Sequence, residues 1–119
     1  MTDLITILTS DVGTGSWNHV KNLALGEEWD KVIIITDDKS RVTFSDITLQ
    51  IIEINFSQPI EDVIRDLSGE LRKLVTLHEV ALNFVSGKGK EHMALVSSIM
   101  KLGVGFRLIA RTKEGITEI

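Results

Sequence analysis

A short basic loop contains the residues of this sequence best suited to bind an anion. Ser86-Gly87-Lys88-Gly89-Lys90 follows an apolar run at residues 80–85 and precedes a helical pattern. The free N–H groups and the dipole of a helix N-terminus favour negative charge, so a strand, a glycine turn and a helix start form an anion site. The two glycines let the backbone approach a ligand, and the two lysines add positive charge. The loop therefore predicts anion binding, with a plain solvated turn as the alternative, and leaves open what is done to the ligand.

A second glycine-rich loop, residues 9–16, follows the apolar run at residues 4–8. Its predicted ligand-binding residues are Thr9, Ser10, Asp11, Gly13, Thr14 and Gly15. Gly13-x-Gly15-x-x-Asn18 is a dinucleotide fingerprint without its third glycine. Asp37 ends the second apolar strand, where a dinucleotide-binding protein holds the ribose. A plain turn followed by a turn aspartate is the alternative interpretation.

Apolar runs alternate with helical patterns along the chain, which predicts an α/β fold with a mainly parallel, Rossmann-like sheet. The predicted strands span residues 4–8, 31–36, 49–56, 80–85 and 106–110, with an antiparallel edge strand at 116–119. The predicted helices run from Trp17 to near Gly26, from Pro59 to Val75 and from the basic loop to Gly103. Right-handed crossovers favour strand order 3-2-1-4-5, so both glycine loops should meet at the C-terminal ends of strands 1 and 4. Residues 41–47 fit a strand, a helical turn or a loop.

Composition narrows the functional classes. The chain has 119 residues, which suits one domain over 1–119, and a net charge of -4, which argues against a duplex nucleic-acid binder. It has no cysteine, and its three histidines lack metal-ligand spacing, so neither a metal nor a cofactor is expected. No signal peptide or membrane span is apparent, and a cytoplasmic location is expected.

Four residues are candidates for a catalytic role if the ligand is turned over: Ser10, Lys88, Lys90 and His92. His19 and His92 lie near helix starts, where histidines are more often partly exposed helix positions. His78 is expected at the opposite end of the sheet. Trp17 either packs against other core residues or stacks on a base of the ligand. Met93 and Met100 are predicted to lie in the core. Both lysines are expected in an exposed loop, so that replacing them leaves the fold intact.

The stretch Asn83 to Leu95, NFVSGKGKEHMAL, resembles the fourth-strand motif of CRISPR-associated Rossmann-fold (CARF) domains. In that motif a hydrophobic strand is followed by a Ser/Thr-Gly-Gly-Thr-Lys-like loop and a helix. The resemblance implies a homodimer that binds a cyclic oligoadenylate at its interface, with metal-independent ring-nuclease activity in some members. The positions that match the family's loops are Ser86, Gly87, Lys88 and Lys90, together with Thr9, Ser10, Asp11 and Gly13. Lys88-Gly89 departs from the family's Gly-Thr, and no effector domain follows.

Three functions fit these patterns. The first is a binding module for a cyclic or linear oligonucleotide. The second is a small enzyme or carrier that uses a nucleotide or a phosphorylated metabolite in the same crevice. The third is a dimeric structural module without a ligand. Two copies of the basic loop across a two-fold axis would favour the first, and one closed pocket per chain would favour the second.

Overall fold

The computed structural model describes residues 2–9, 14–43, 49–76 and 78–119, and the side chains of residues 14–16 lie outside this description. The strands are β1 (Asp3–Leu8), β2 (Val32–Thr36), β3 (Leu49–Glu53), β4 (Glu79–Asn83), β5 (Gly105–Thr112) and β6 (Gly115–Glu118). The helices are α1 (Thr14–Leu25), α2 (Ile60–Leu74) and α3 (Gly89–Leu102), with a short 3-10 turn at Lys39–Arg41. The predicted α/β class and element order are thus confirmed.

One six-stranded sheet organises the fold, in the order β3-β2-β1-β4-β5-β6. Every neighbouring pair is parallel except β5 and β6, which pair antiparallel as predicted. In β1 and β2 every residue is buried, which is typical of parallel strands covered on both faces. β3 is an edge strand, and its exposed Glu53 agrees with the incomplete covering predicted for it.

Helices cover both faces of the sheet. On one face α2 and α3 pack on the strands, through a buried cluster that includes Ile5, Ile7, Ile33, Ile35, Val63, Leu67, Leu71, Leu82, Leu95 and Ile99. On the other face α1 packs on the strands, through a cluster that includes Leu4, Leu8, Val20, Leu23, Trp29, Ile34, Ala81 and Ile109. The alternation of side chains along β1 and β2 divides their residues between these two cores.

A buried polar pair joins the central strands. The hydroxyl of Thr6 in β1 donates to the carbonyl oxygen of Asn83 in β4 at 3.3 Å. The Asn83 amide donates in turn to the carbonyl oxygen of Ile109 in β5 at 2.9 Å. Asn83 Oδ1 also accepts from the backbone N–H of Val85 at 3.2 Å, which turns the chain out of the sheet. β4 therefore ends at Asn83, two residues before the predicted end at Val85.

Two other boundaries differ from the prediction. β3 ends at Glu53 rather than at Phe56, because Asn55 Oδ1 accepts from the N–H of Ser57 at 3.0 Å and forms a side-chain turn. The 3-10 turn covers the start of the ambiguous 41–47 segment, whereas residues 44–48 lie outside the described part.

The prediction that Met93 and Met100 lie in the core is wrong. Their side chains are 65% and 66% exposed, respectively. α3 has two neighbouring apolar stripes, and only one of them can face the sheet and α2. The buried stripe contains Ala94, Leu95, Ser98 and Ile99, so the methionines lie on the outer face of the helix.

A carboxyl group is buried at the N-terminal end of β1. Asp3 is 0% exposed, and neither of its oxygens has a hydrogen-bond partner among the described residues. The Lys31 ammonium lies 3.9 Å away and donates to the carbonyl oxygen of Leu74. Burial raises the pKa of Asp3, and the charge of Lys31 only partly opposes this effect.

Candidate anion-binding site at the C-terminal edge of the sheet

The two glycine loops begin side by side, because β1 and β4 are parallel neighbours. The backbone N–H of Thr9 lies 3.4 Å from the hydroxyl oxygen of Ser86 and donates to it, and the Ser86 side chain is completely buried. Gly89 and Lys90 belong to the first turn of α3, and Thr14 and Gly15 to the first turn of α1. The predicted site residues Ser10, Asp11 and Gly13 lie outside the described residues.

A cavity of about 370 Å³ opens at this edge of the sheet. It is lined by Thr9, Asp37, Phe56, Lys88, Lys90 and Glu91. These residues follow β1, β2, β3 and β4, so the sheet order itself brings them together. Three of them, Thr9, Lys88 and Lys90, are residues that the sequence predicted as ligand contacts.

The hydroxyl group of Thr9 is the least satisfied polar group in this lining. Thr9 is 2% exposed, and its Oγ1 has no hydrogen-bond partner among the described residues. A buried hydroxyl without a partner costs about 1–3 kcal/mol. Thr9 lines the cavity, so its hydroxyl is a candidate to bond a ligand group there.

The N-terminus of α3 is open beside this hydroxyl. Its N-cap residue, Lys88, makes no side-chain capping bond, and the first backbone bond of the helix runs from His92 N to Lys88 O at 3.0 Å. The N–H groups of residues 89–91 therefore precede the hydrogen-bonded part of the helix. A Cβ added at Gly89 would meet no atom within 4 Å, so the space around this backbone is open to a ligand.

The two lysines of the basic loop have different environments. Lys88 is exposed and lies on the cavity wall. The ammonium group of Lys90 donates to the carbonyl oxygens of Phe56 at 2.8 Å and of Gln58 at 2.6 Å. Lys90 thus ties α3 to the segment after β3, and Lys88 is the more accessible cation for a bound anion.

Two carboxylates share the cavity with the lysines. Asp37 follows β2, at the position for which the sequence left a ribose contact and a plain turn aspartate as alternatives, and Glu91 is only 7% exposed in the first turn of α3. Carboxylates accept hydrogen bonds and repel anions. The lining therefore suits a ligand that has hydroxyl groups as well as an anionic group.

Sequence reasoning missed Phe56 and Glu91. Phe56 was assigned to the end of the third strand, although its position beyond the polar residue Asn55 is a signal that the strand has already ended. Glu91 directly follows Lys90, and the predicted helix start placed it one position beyond the loop. Its burial depends on the packing of α3, which the sequence pattern does not specify.

Gly87 and His92 hold the basic loop in shape. Gly87 has φ +96°, and an added Cβ would lie 3.1 Å from Ile7 Cγ2 and 3.2 Å from His92 Nε2. His92 Nε2 donates to the carbonyl oxygen of Ser86 at 2.9 Å, and its ring stacks on Phe84 with centroids 4.8 Å apart. His92 lines a groove on the outer face of α3 and not the cavity at Thr9.

The remaining aromatic candidates lie elsewhere. His78 precedes β4, at the opposite end of the sheet as expected. Nε2 of His19 is buried without a partner among the described residues, and both desolvation and the charge of Arg111 lower the pKa of this histidine. The Trp17 indole packs against the α1 core and donates to the carbonyl oxygen of Arg41 at 3.0 Å, which agrees with the packing alternative.

Within the described ranges, no group of three or more His, Asp or Glu side chains is arranged to hold a metal ion. In the same part of the chain, every helix is too short or too polar to cross a membrane.

Comparison with known proteins gives structural likenesses only. No family model matches the chain, and no curated protein matches it in sequence. Among solved structures, UDP-D-quinovosamine 4-dehydrogenase from Vibrio fischeri is similar with a TM-score of 0.47 and 17% identity, over 100% of this chain and 94% of that one. The function must therefore be argued from the residues of this chain, and the resemblance to CARF domains stays a prediction.

Proposed function

We propose that this protein binds a nucleoside phosphate at the C-terminal edge of its sheet. The observation that carries the proposal is the buried hydroxyl of Thr9, which has no partner among the described residues, beside the uncapped N-terminus of α3. A phosphate oxygen accepts hydrogen bonds, so it would satisfy both the hydroxyl and the N–H groups of the first helical turn. Lys88 would neutralise part of its charge.

The carboxylates of the cavity favour a nucleotide over a bare phosphate. Asp37 and Glu91 would accept hydrogen bonds from ribose hydroxyls, as an acidic residue after the second strand does in dinucleotide sites. Free phosphate would meet the same two charges without any compensating bond. We therefore place the phosphate at Thr9 and Lys88 and the ribose at Asp37.

A cyclic oligonucleotide, the ligand implied by the CARF resemblance, is the second candidate. The exposed apolar face of α3 favours it, because this face carries Met93, Val96 and Met100 and suits a second copy of the chain. A two-fold axis near Met93 would bring the two copies of Lys88 together on one binding surface shared by both chains. An axis at the middle of α3 would separate the helix N-termini by about 20 Å and leave one cavity per chain.

Turnover of a cyclic oligonucleotide would require attack by a ribose 2′-hydroxyl on the adjacent phosphate, which forms a 2′,3′-cyclic phosphate, breaks the bond from phosphorus to the 5′-oxygen of the next nucleotide and leaves that oxygen as a hydroxyl. Such a reaction depends on alignment and charge neutralisation. Lys88, which is exposed on the cavity wall, is the residue that we propose for the second task. The Lys90 and His92 side chains bind backbone carbonyls. We therefore propose binding as the primary function.

Thr9→Val tests the proposal, because valine keeps the shape of threonine and lacks its hydroxyl. Titration calorimetry with AMP, ADP and cyclic tetra-adenylate should show at least one of them binding to the parent protein. The variant should bind that nucleotide about ten-fold more weakly, as expected for one lost hydrogen bond to a charged group. Its thermal stability should not fall, since the buried hydroxyl has no partner within the described part of the chain.

Thr76→Val is the matched control, since Thr76 is exposed just after α2. It should leave both affinity and stability unchanged. Failure of all three nucleotides to bind, or full affinity in Thr9→Val, would contradict the proposed site.

A further inference from the structure

A second cavity extends the candidate site along the edge of the sheet. It has a volume of about 550 Å³ and is lined by Asp37, Glu53, Ile54, Asn55, Phe56 and Ser57. Asp37 and Phe56 also line the cavity at Thr9. The two cavities therefore form one groove that runs from the ends of β1 and β4, past β2, to the end of β3.

Phe56 provides a fixed aromatic surface in the middle of this groove. Its side chain is partly buried and packs against the core on the α2 and α3 side of the sheet. The Lys90 ammonium holds the backbone carbonyls of Phe56 and Gln58, so the main chain on which the ring sits is clamped to α3. An aromatic ring fixed at both backbone and side chain can stack on a planar ligand at low entropic cost.

Asn55 presents hydrogen-bond donors beside this ring. Its Oδ1 accepts from both the N–H of Ser57 at 3.0 Å and the hydroxyl of Ser57 at 2.6 Å. These two bonds fix the orientation of the exposed amide, and its Nδ2 donors have no hydrogen-bond partner among the described residues. Asn55 is exposed on the cavity wall, where a ring nitrogen or carbonyl oxygen of a ligand would complement it.

We infer that the Phe56 cavity is the subsite for the base of the nucleotide, with the base stacked on Phe56 and accepting a hydrogen bond from Asn55. This inference rests on the proposed function, since it takes the phosphate at Thr9 and Lys88 as its starting point. Neighbouring strands lie about 4.8 Å apart, so the ends of β1 and β3 are separated by two such spacings. Phosphate, ribose and base then lie in order along the ends of β1, β2 and β3. The ligand class is a nucleoside monophosphate or diphosphate rather than a sugar phosphate.

The experiment compares AMP with ribose 5-phosphate, which has a hydroxyl group at C1′ where AMP has adenine. Titration calorimetry on the parent protein should give AMP at least about ten-fold tighter binding, as expected when a base stacks on an aromatic side chain. Phe56→Leu should remove this difference, because leucine has no aromatic face on which the base can stack. Phe56→Trp keeps an aromatic surface and should retain the preference for AMP.

Phe106→Leu is the control, because Phe106 is a partly exposed phenylalanine on β5, away from the groove. It should bind both compounds as the parent does. Equal affinity of the parent for AMP and ribose 5-phosphate, or a preference for AMP that survives in a folded Phe56→Leu, would overturn the base subsite and leave the phosphate site standing. If neither compound binds, the base subsite is overturned as well, and if ADP and cyclic tetra-adenylate also fail to bind, the proposed function itself fails.

Discussion

The ammonium group of Lys90 donates to the carbonyl oxygen of Phe56 at 2.8 Å, although the two residues are 34 positions apart in the chain. This bond joins the first turn of α3 to the connection between β3 and α2. One side of the candidate site is therefore fixed to the other by a side chain whose residue type also suits phosphate binding. Lys90 has a structural task whether or not a ligand binds.

Replacing Lys90 should lower stability, contrary to the expectation from sequence that both loop lysines are dispensable for folding. Lys90→Ala removes two hydrogen bonds from a charged donor, and such bonds contribute about 1.5–3 kcal/mol where they are well formed. We expect a loss of about 1–2 kcal/mol, since the group is only partly buried. Urea denaturation measures it, with Lys113→Ala, an exposed turn lysine, as the control. Equal midpoints for the two variants would show that the two hydrogen bonds of Lys90 contribute nothing to stability.

Lys88→Ala alone is accordingly the variant for testing anion binding, because it leaves the hydrogen bonds of Lys90 intact.

The two glycines of the basic loop should respond oppositely to alanine. Gly87→Ala forces a side chain onto φ +96° and into contacts of 3.1 and 3.2 Å with Ile7 and His92, which should cost about 1–3 kcal/mol. Gly89→Ala meets open space at the start of a helix and should be neutral or stabilise by up to about 1 kcal/mol. Thermal unfolding of the pair compares them directly. A Gly87→Ala variant as stable as Gly89→Ala would mean that the loop relaxes freely.

Asp3→Asn should stabilise the protein at neutral pH. Because burial raises the pKa of Asp3 in the folded state, folding binds a proton and the free energy of unfolding falls as pH rises above the unfolded pKa. The loss is about 1.4 kcal/mol for each unit between the folded and unfolded pKa values. Asparagine has no such loss, so the gain should be largest near pH 7 and vanish well below the ordinary aspartate pKa of about 3.9.

Asp66→Asn provides the contrast for this pH series. Hydrogen bonds from Gln58 and Arg65 lower the pKa of Asp66, so its carboxylate stabilises the fold above the unfolded pKa. The substitution should therefore destabilise at neutral pH. Unfolding curves from pH 3 to 8 in which Asp3→Asn also destabilised at pH 7 would show that Lys31 outweighs burial.

Charge on the outer face of α3 should reveal whether copies of the chain associate there. Met93 and Met100 are 65% and 66% exposed, and a glutamate at either position should be tolerated by the fold. If the two-fold axis lies near Met93, Met93→Glu should give a monomer in sedimentation velocity, whereas Met100→Glu should weaken the dimer less. Equal disruption of the dimer by both substitutions would place the two-fold axis at the middle of the helix. A monomeric parent protein would exclude a ligand site that is shared between two chains.

The sheet order was predictable because the signals for it are local. Continuous apolar runs such as that in β2 mark strands covered on both faces, and right-handed crossovers leave few ways to connect them. The proximity of Thr9 to Ser86 follows from that order alone. By contrast, the hydrogen bonds of Lys90 to the segment after β3 and the burial of Glu91 depend on how α3 is rotated about its axis.

The assignment of Met93 and Met100 to the core failed for that reason. α3 has two neighbouring apolar stripes, and periodicity does not say which one faces the sheet. The choice is made by α2 and the strands, against which Leu95 and Ile99 are buried. Phe56 was missed because a side-chain turn at Asn55 ends β3 earlier than its apolar pattern does.

The bond between Thr9 and Ser86 joins residues that are 77 positions apart, across a pair of strands that are not consecutive in the chain. Closing so long a loop lowers the entropy of the chain before any stabilising contact has formed. Non-local parallel strand pairings of this kind therefore form slowly. A refolding chain that has assembled β1, β2 and β3 still lacks half of the phosphate-binding edge. Ligand binding during refolding therefore requires that β4 and α3 have already packed against β1. The rate of a stopped-flow ligand signal would measure this late step of folding rather than the formation of β1, β2 and β3.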